Sequence, residues 1–362
     1  MNYSVKKTLS SCKGKIANHP SSDTFFNYQF LSNLQKSGCV GKDTGWDPKY
    51  FVHQNDSVIP FYEKHNSQGE FVFDYSWANA YFRYGMRYYP KIVLSVPFTP
   101  VVGNRIFCDD NGSGSVALAE FKKFIDKEDF SSIHALYVSN DQREIFTENG
   151  FIERFDCNFK WKNDQYDTFD DYLGKLKSRY RKNIQKERSS IISEGITFNL
   201  IEKPSQEIWE EFYLFYALTY VRRGQQPYLN LNFFKKIKES GTSILFAELG
   251  GEKIAAALFF LSEDTLYGRY WGAKVDIDFL HFETCYYQGI DLAIQKKAKF
   301  FDPGIQGQHK LKRGFEPVLN RSFHWIKNEE FKKAITNFCV EEAQHINKYY
   351  LGAKKSLPFK NE

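Results

Sequence analysis

The sequence predicts an α+β fold, and three observations carry that reading. With 362 residues, the chain has room for two domains at roughly 100–200 residues each, and each can bury its own core. Segments with helical spacing are interleaved with short strand-like runs throughout. In the C-terminal half, three strand-like runs follow one another through tight turns, with helices before and after them.

Residues 1–22 are polar and read as a loose N-terminal arm. A first domain is expected over 23–150. Phe25, Tyr28, Leu31 and Leu34 fall at helical spacing, and the stretch holding Gly38, Gly41 and Gly45 is loop-like. Strands are expected at Tyr50–Val52, Ser57–Tyr62, Ile92–Pro97 and Ile133–Val138, with an aromatic amphipathic segment over Phe73–Tyr84. Asn111–Gly114 reads as a turn and Val116–Ile125 as a helix. Gly150 closes a further helix where a left-handed cap belongs.

A second domain is expected over 151–327, with a closing helix and tail over 328–362. It opens with one long basic helix, Phe169–Ser193, and a second helix, Gln206–Tyr220. A meander follows: Ile244–Leu249, Lys253–Leu261 and Thr265–Trp271. A helix over Leu280–Lys297 and a strand over Lys299–Asp302 complete the set. Helix pair, antiparallel meander, helix and strand is the element order of a GNAT-type acyltransferase core.

Lys+Arg is 49 against 44 Asp+Glu, a net +5, which is an ordinary globular surface with a mild basic bias and excludes a polycation. The aromatic share of 18% fits rings used as large core units. The six cysteines, at 12, 39, 108, 157, 285 and 339, have no CxxC or Cys/His spacing, so neither a disulfide framework nor a zinc site is expected. The histidines show no ligand spacing, and no metal is expected. The first twenty residues contain no apolar core of a signal peptide, and the longest apolar run, Ile254–Leu261, is far short of a bilayer span of ~20 residues. A soluble, cytoplasmic protein is the expectation. GxSxG, HExxH, Walker A and post-strand GxGxxG motifs are absent from the sequence, which gives no support to triad, zinc-protease or P-loop chemistry.

Two cation clusters stand out. Lys175, Lys177, Arg179, Arg181, Lys182, Lys186 and Arg188 share one predicted helix with a single acid, Glu187. This is either a solvated helix face or a surface for a polyanion such as an RNA backbone. Gln306 to Pro317 places His309, Lys310, Lys312 and Arg313 between glycines just past a strand end. Such a loop brings positive charge to a developing oxyanion or a phosphate. Arg269, beside Tyr270 and Trp271 on a predicted strand, must find a partner: either a carboxylate such as Glu283 or Asp302, or a donor in a cleft. His281 and Glu283 open the following helix, where an acid also suits the positive helix end.

The motifs resemble the FemAB-like proteins of the GNAT superfamily, often labelled peptidoglycan-biosynthesis or N-acyltransferase proteins. They are Gly45-Trp46-Asp47-Pro48, the run Lys64 to Asp74, Trp77-Ala78-x-Ala80-Tyr81, Tyr88-Tyr89-Pro90-Lys91 and Pro97-Phe98-Thr99-Pro100-Val101. The likeness continues through Ser178 to Ile184, Tyr267 to Gly272, His281 to Tyr287 and Gln306 to Pro317. The resemblance implies two tandem GNAT-like domains, each a mixed, mostly antiparallel sheet flanked by helices. It implies a Fem-type aminoacyltransferase, moving an amino acid from aminoacyl-tRNA to a primary amine on a cell-wall precursor. Those relatives carry an aromatic-Lys pair shortly before a Phe in the donor channel. Leu311-Lys312 with Phe315 occupies the matching place, so Lys312 carries over and the aromatic neighbour does not. The coiled-coil arm of some Fem relatives is missing, as is the Arg/Gln-x-x-Gly-x-Gly/Ala loop that holds acetyl-CoA.

These readings converge on an amide-forming transferase with no permanently bound cofactor. Aminoacyl-tRNA is its co-substrate, and the amine attacks directly. Lys312, with Lys310 and Arg313, is expected at the oxyanion. Arg269, Tyr270, Trp271, His281, Glu283, Gln306 and His309 are expected to shape the cleft, and the cations at 175–186 to touch phosphates. An acyl-CoA or acyl-carrier-protein thioester is the alternative donor, and a binding module without catalysis the alternative class.

Overall fold

In the computed structural model of the chain, residues 2–17, 24–54, 56–237, 241–305 and 307–360 are described, and they form two compact units. The first comprises residues 1–156 and 319–348, the second 157–318 and 349–362.

The first unit holds β1 (Tyr3–Lys6), β2 (Trp46–His53), β3 (Val58–Lys64), β4 (Lys91–Leu94) and β5 (Ser132–Ala135). β6 (Ile152–Lys162) then carries the chain into the second unit. β1, β2, β3 and β4 pair antiparallel in turn, and β4 and β5 run parallel. The expectation of a loose arm over 1–22 is corrected here. Tyr3–Lys6 takes a register on β2 from Tyr3↔His53 to Lys6↔Tyr50, because the Tyr3 ring stacks on Phe51 at 4.6 Å. Residues 18–22 of that arm lie outside the described set. β2 begins at Trp46, earlier than expected, and tolerates Pro48 because β1 stops pairing at Tyr50, so the missing N–H has no ladder to break.

Asn111–Gly114 is not a turn but the first turn of the helix Asn111–Asp126. Asp110 caps it by accepting from the Ser113 N–H at 2.8 Å, and such a cap outweighs the weak helix propensity of Gly112 and Gly114. This helix lays Ala117, Leu118, Phe121 and Ile125 on a core shared with Phe51, Phe61, Ile92 and Ile133.

The second unit adds β7 (Ile196–Glu202), β8 (Thr242–Leu249), β9 (Glu252–Leu261), β10 (Thr265–Ala273) and β11 (Phe300–Asp302). The expected meander is β8, β9 and β10. β7 extends it antiparallel on one side, and β11 pairs parallel with β10 and antiparallel with β6 on the other. The single helix expected over 169–193 is two, Phe169–Lys175 and Ser178–Ser193. Leu176 between them is extended and forms a bridge with Phe359, while the Lys177 N–H donates to Pro358 O at 2.8 Å and the Lys360 N–H to Lys175 O at 2.9 Å. Pairing with a segment more than 180 residues away overrides a helical pattern that is continuous in the sequence.

β12 (Glu316–Ile326), which the sequence pattern did not reveal, leads back into the first unit and pairs antiparallel with β5 from Phe323↔Ala135 to Ile326↔Ser132. The helix Glu329–Lys355 follows, with Ile335 and Cys339 packed in a cluster with Trp77 and Tyr81. The boundaries expected at 150 and 327, and the separate closing segment, therefore give way to two units each built from two stretches of chain. Each unit carries an α+β arrangement of a mixed, mostly antiparallel sheet with helices.

Candidate active site

β10 and β11 pair in parallel from Thr265↔Phe300 to Tyr267↔Asp302. There β11 ends, because Pro303 cannot donate to a ladder and Gly304 takes φ +88°. β10 continues to Ala273. Past Asp302 it has lost its neighbour, and a cleft of about 90 Å³ opens between its outer end and the helix beyond. Gly268, Arg269, Tyr270, Trp271 and Pro303 line one side, Ala257 to Phe259 of β9 the floor, and His281, Cys285 and Tyr286 the opposite wall.

Two irregularities aim these side chains. β10 bulges between Arg269 and Trp271, with Tyr270 at φ +61°, a conformation that is strained for a tyrosine. The helix expected over 280–297 contains a π-turn at Glu283–Tyr287, a feature frequent where a helix serves a site. Gly272 fixes the other face of β10. A Cβ there would lie 1.8 Å from the carbonyl oxygen of Phe215, so the helix Gln206–Val221 can approach only a glycine.

Arg269 is buried in this cleft, with a relative exposure of 6%. Its Nη1 donates to Gly268 O at 2.8 Å, to Asp302 O at 3.0 Å and to Asp302 Oδ1 at 3.2 Å. Its Nε and Nη2 have no hydrogen-bond partner among the described residues. Buried guanidinium donors are ordinarily satisfied, so this half of the fork is a ready site for an oxygen. Burial would push the Asp302 carboxyl up, but Arg269 and then Lys160 hold it below its usual range, so the pair stays ionised. Of the two readings of Arg269, the clamp on Asp302 is present, and the side chain also lines this cleft.

The lysine-bearing turn is a 3-10 helix, Gln308–Arg313. Its three-residue period turns Lys310 and Arg313 inward together and leaves Lys312 outward. Lys312 is exposed and does not line the cleft, so its expected place at the oxyanion is corrected. Lys310 is buried, and its Nζ donates to Gly304 O at 2.7 Å, bracing the turn that ends β11. Arg313 stacks on Phe282 at 3.7 Å and donates to Tyr287 Oη at 2.7 Å, His309 O at 3.0 Å and Glu187 Oε2 at 2.7 Å, so its guanidinium is engaged in holding the turn. Glu283 is buried away from the cleft lining. It accepts from Arg188 Nε at 3.2 Å and Gln288 Nε2 at 2.9 Å, and Arg188 also donates to Asp291 at 2.9 Å. Gln306 lies outside the described residues.

His281 sits among Trp271 at 5.3 Å and Tyr286 at 5.1 Å between ring centroids. Burial first, and then the charges of His309, Lys310 and Arg313, push it down to about 4, so it is neutral at pH 7. His309 shares a hydrogen bond of 3.0 Å with Tyr286 Oη. Burial brings Lys310 down to about 8, against an opposing pull from Asp302. Between about pH 8 and its ordinary value of 10.5 the unfolded chain holds a proton there that the folded chain does not, so stability rises with pH across that window. Lys310→Met is expected to flatten this rise. Urea midpoints at pH 8 and 9.5 check it, and identical pH slopes in both proteins would refute it.

A second cavity, of about 250 Å³, includes Thr219, Arg222, Arg223, Asp276, Trp271 and His281 in its lining. It shares Trp271 and His281 with the first, so these two side chains separate the two spaces. Arg222 and Arg223, just past the helix Gln206–Val221, were missed in the sequence.

On the outer face, Lys175, Lys177, Arg179, Lys182 and Lys186 are exposed and Arg181 is half-buried, and none of the six is in an ion pair among the described residues. Arg188, by contrast, is committed to Glu283 and Asp291. The docked C-terminal segment brings Lys360 beside this group, its Nζ donating to Gly174 O at 2.6 Å. Among the described residues no group of His, Cys, Asp and Glu could hold a metal ion, and no helix is long and apolar enough to cross a membrane.

A family profile described as peptidoglycan biosynthesis/recognition, FemAB-like, matches residues 8–361. The chain belongs to the FemAB-like family. Among solved structures, FemX is similar over 93% of this chain and 100% of its own, at 12% identity and a TM-score of 0.51. The L-PGS of Bacillus licheniformis is similar over 91% and 96%, at 13% identity and a TM-score of 0.52. The C-terminal domain of a putative lysylphosphatidylglycerol synthetase from Agrobacterium fabrum is similar over 93% and 97%, at 10% identity and a TM-score of 0.53. At these identities the likeness of this FemAB-like chain to them is one of fold. A search of curated proteins finds no match.

Proposed function

We propose that this FemAB-like protein is an amide-forming aminoacyltransferase with two GNAT-type units, drawing its acyl group from aminoacyl-tRNA in the cytoplasm and passing it to a primary amine. The observation that carries this reading is the half-satisfied Arg269 fork in the cleft.

The ester carbonyl of the donor sits with its oxygen on Arg269 Nε and Nη2. The amine lone pair attacks the carbonyl carbon, a C–N bond forms, and the carbonyl electrons move onto the oxygen that Arg269 holds. Collapse breaks the bond to the ribose oxygen, which leaves with the proton the amine gives up. No enzyme nucleophile is required, since the ester is already activated and the cleft supplies proximity. Neutral His281 accepts a hydrogen bond from the attacking amine and orients its lone pair. Lys310 acts as a positioning residue behind Pro303-Gly304, and the oxyanion role first expected of Lys312 passes to Arg269. Arg222 and Arg223 meet donor phosphates, and the unpaired cations from Lys175 to Lys186 meet the RNA backbone farther out, with Lys312 free to join such a surface.

The test presents purified protein with an amine and, in parallel, with charged tRNA, acyl-CoA and acylated carrier protein. Protein-dependent discharge of tRNA is expected. The triple variant Lys175→Glu, Lys182→Glu, Lys186→Glu should weaken tRNA retention and reduce the salt slope by roughly 1 for each phosphate no longer neutralised. Turnover of a thioester without discharge of tRNA would overturn the donor, and no turnover with any of the three would overturn the enzymatic reading.

A further inference from the structure

Chain ends are ordinarily loose unless something ties them down. Past the helix Glu329–Lys355, the segment 357–360 is tied at every residue: Leu357 and Phe359 are half-buried, Pro358 is buried, and Lys360 donates from both its backbone and its ammonium. Its seat is the extended residue Leu176, which Phe359 faces across the antiparallel bridge. The seat exists only because two helices are kept apart there, Leu176 holding ψ at 147° where a continuous helix would otherwise run. A strap that merely clipped down the end of the chain would need no such break.

The Phe359 ring shows what the strap reaches. It packs on the core of the second unit, and its tip lies against Gly314: a Cβ on that glycine would stand 3.2 Å from Phe359 Cζ and 2.9 Å from Tyr172 Oη. Gly314, at φ +71°, is the left-handed residue that ends the 3-10 helix Gln308–Arg313. Glycine alone takes that conformation freely and leaves room for both rings. Wholly buried Tyr172 donates its hydroxyl to Arg313 O at 2.6 Å, so the end of the 3-10 helix is held by a ring and a hydrogen bond together.

The same short helix touches the cleft at its other end. Lys310 holds Gly304 O, where β11 stops, and His309 is hydrogen-bonded to Tyr286 of the cleft wall. The Gly314 N–H donates to Leu311 O at 3.1 Å and the Phe315 N–H to Lys310 O at 3.2 Å, so the residue under Phe359 and the residue behind Gly304 are joined through one closed turn. A displacement at Gly314 is therefore passed to Lys310 and His309.

We infer that Phe359 is a positioning residue for the transfer reaction: the C-terminal strap presses its ring on Gly314 and thereby sets Lys310 and His309 against the Arg269 cleft. The inference rests on the transferase reading of that cleft. Its effect belongs to the reacting geometry, since small misplacements cost rate more than they cost binding.

Kinetics with charged tRNA and an amine test it, on the parent, on Phe359→Ala and on Phe359→Tyr. Alanine removes the ring, while tyrosine keeps it and adds an oxygen at Cζ, the atom that faces Gly314. Both variants should lose at least about ten-fold in kcat, with KM for the donor within about two-fold of the parent and tRNA retention unchanged. Amide hydrogen exchange should quicken at Gly314 and Phe315 and stay as it was in β8 and β9. Parental kcat in either variant would overturn the inference and leave the transferase reading standing. Lost tRNA retention would overturn it too, by making the strap part of the RNA surface, and so would exchange quickened throughout the second unit. No turnover by the parent with any donor would remove the transferase reading and this inference with it.

Discussion

Arg269→Lys is expected to lower kcat by about 10²-fold or more, the usual effect of removing one preorganised oxyanion donor. Lysine keeps the positive charge beside Asp302 and so preserves the ion pair that burial demands. It cannot keep the planar fork whose Nε and Nη2 are buried without a hydrogen-bond partner among the described residues. The loss should therefore fall on kcat, with a smaller change in KM for the donor and a thermal midpoint close to that of the parent. Arg269→Ala is the less informative variant, because it strands a buried carboxylate and lowers stability at the same time. Steady-state kinetics on the lysine variant check the expectation. Unchanged kcat would remove Arg269 from the reaction and the proposed mechanism with it.

Lys91→Met is expected to destabilise the first unit by about 3–5 kcal/mol, the cost of breaking a buried ion pair from one side. Lys91 is wholly buried, and its Nζ donates to Glu70 Oε2 at 2.8 Å, to Ser67 Oγ at 2.9 Å and to Asp74. Methionine nearly matches its volume, leaves Asp74 without its cation and leaves Glu70 only Lys64, at 4.0 Å. Burial acts to raise Asp74, but Lys91 overcomes it and holds the group at about 2, helped by the Tyr88 hydroxyl at 2.5 Å. A carboxyl depressed from 3.8 contributes stability that is fully present above 3.8 and is lost as the pH falls toward 2. Glu70 behaves oppositely: burial dominates and lifts it to about 7, so its contribution declines as the pH rises from 4.5 toward 7. In the variant both groups lose the Lys91 charge and protonate more readily. The deficit should be largest above pH 7 and shrink toward pH 4.5, read from urea midpoints at the two values. A deficit independent of pH would show that the cost is one of packing.

The meander, the helix after it and the strand at Phe300–Asp302 were legible in the sequence because each rests on local signals: alternation, Gly250-Gly251, Pro303-Gly304. Arg269 was legible for a different reason, as a charge in an apolar strand. What the sequence hid was set by distant partners. The break at Leu176 depends on Phe359, β12 on β5, and the burial of Lys91 on Glu70 and Asp74. The choice among Lys310, Lys312 and Arg313 turned on whether that segment was a loop or a 3-10 helix, and spacing alone did not decide between them.

β12 has a consequence for biogenesis. The sheet of the first unit keeps β5 as a bare edge until residue 326 has left the ribosome, by which time the whole of the intervening strand-rich segment has been synthesised. A gene fragment ending at residue 156 would encode β1 to β5 with only the start of β6, and would still leave this margin open to adventitious pairing. The nascent polypeptide therefore has to be held back from aggregation for most of its translation, and cutting the gene between the two units yields neither of them whole.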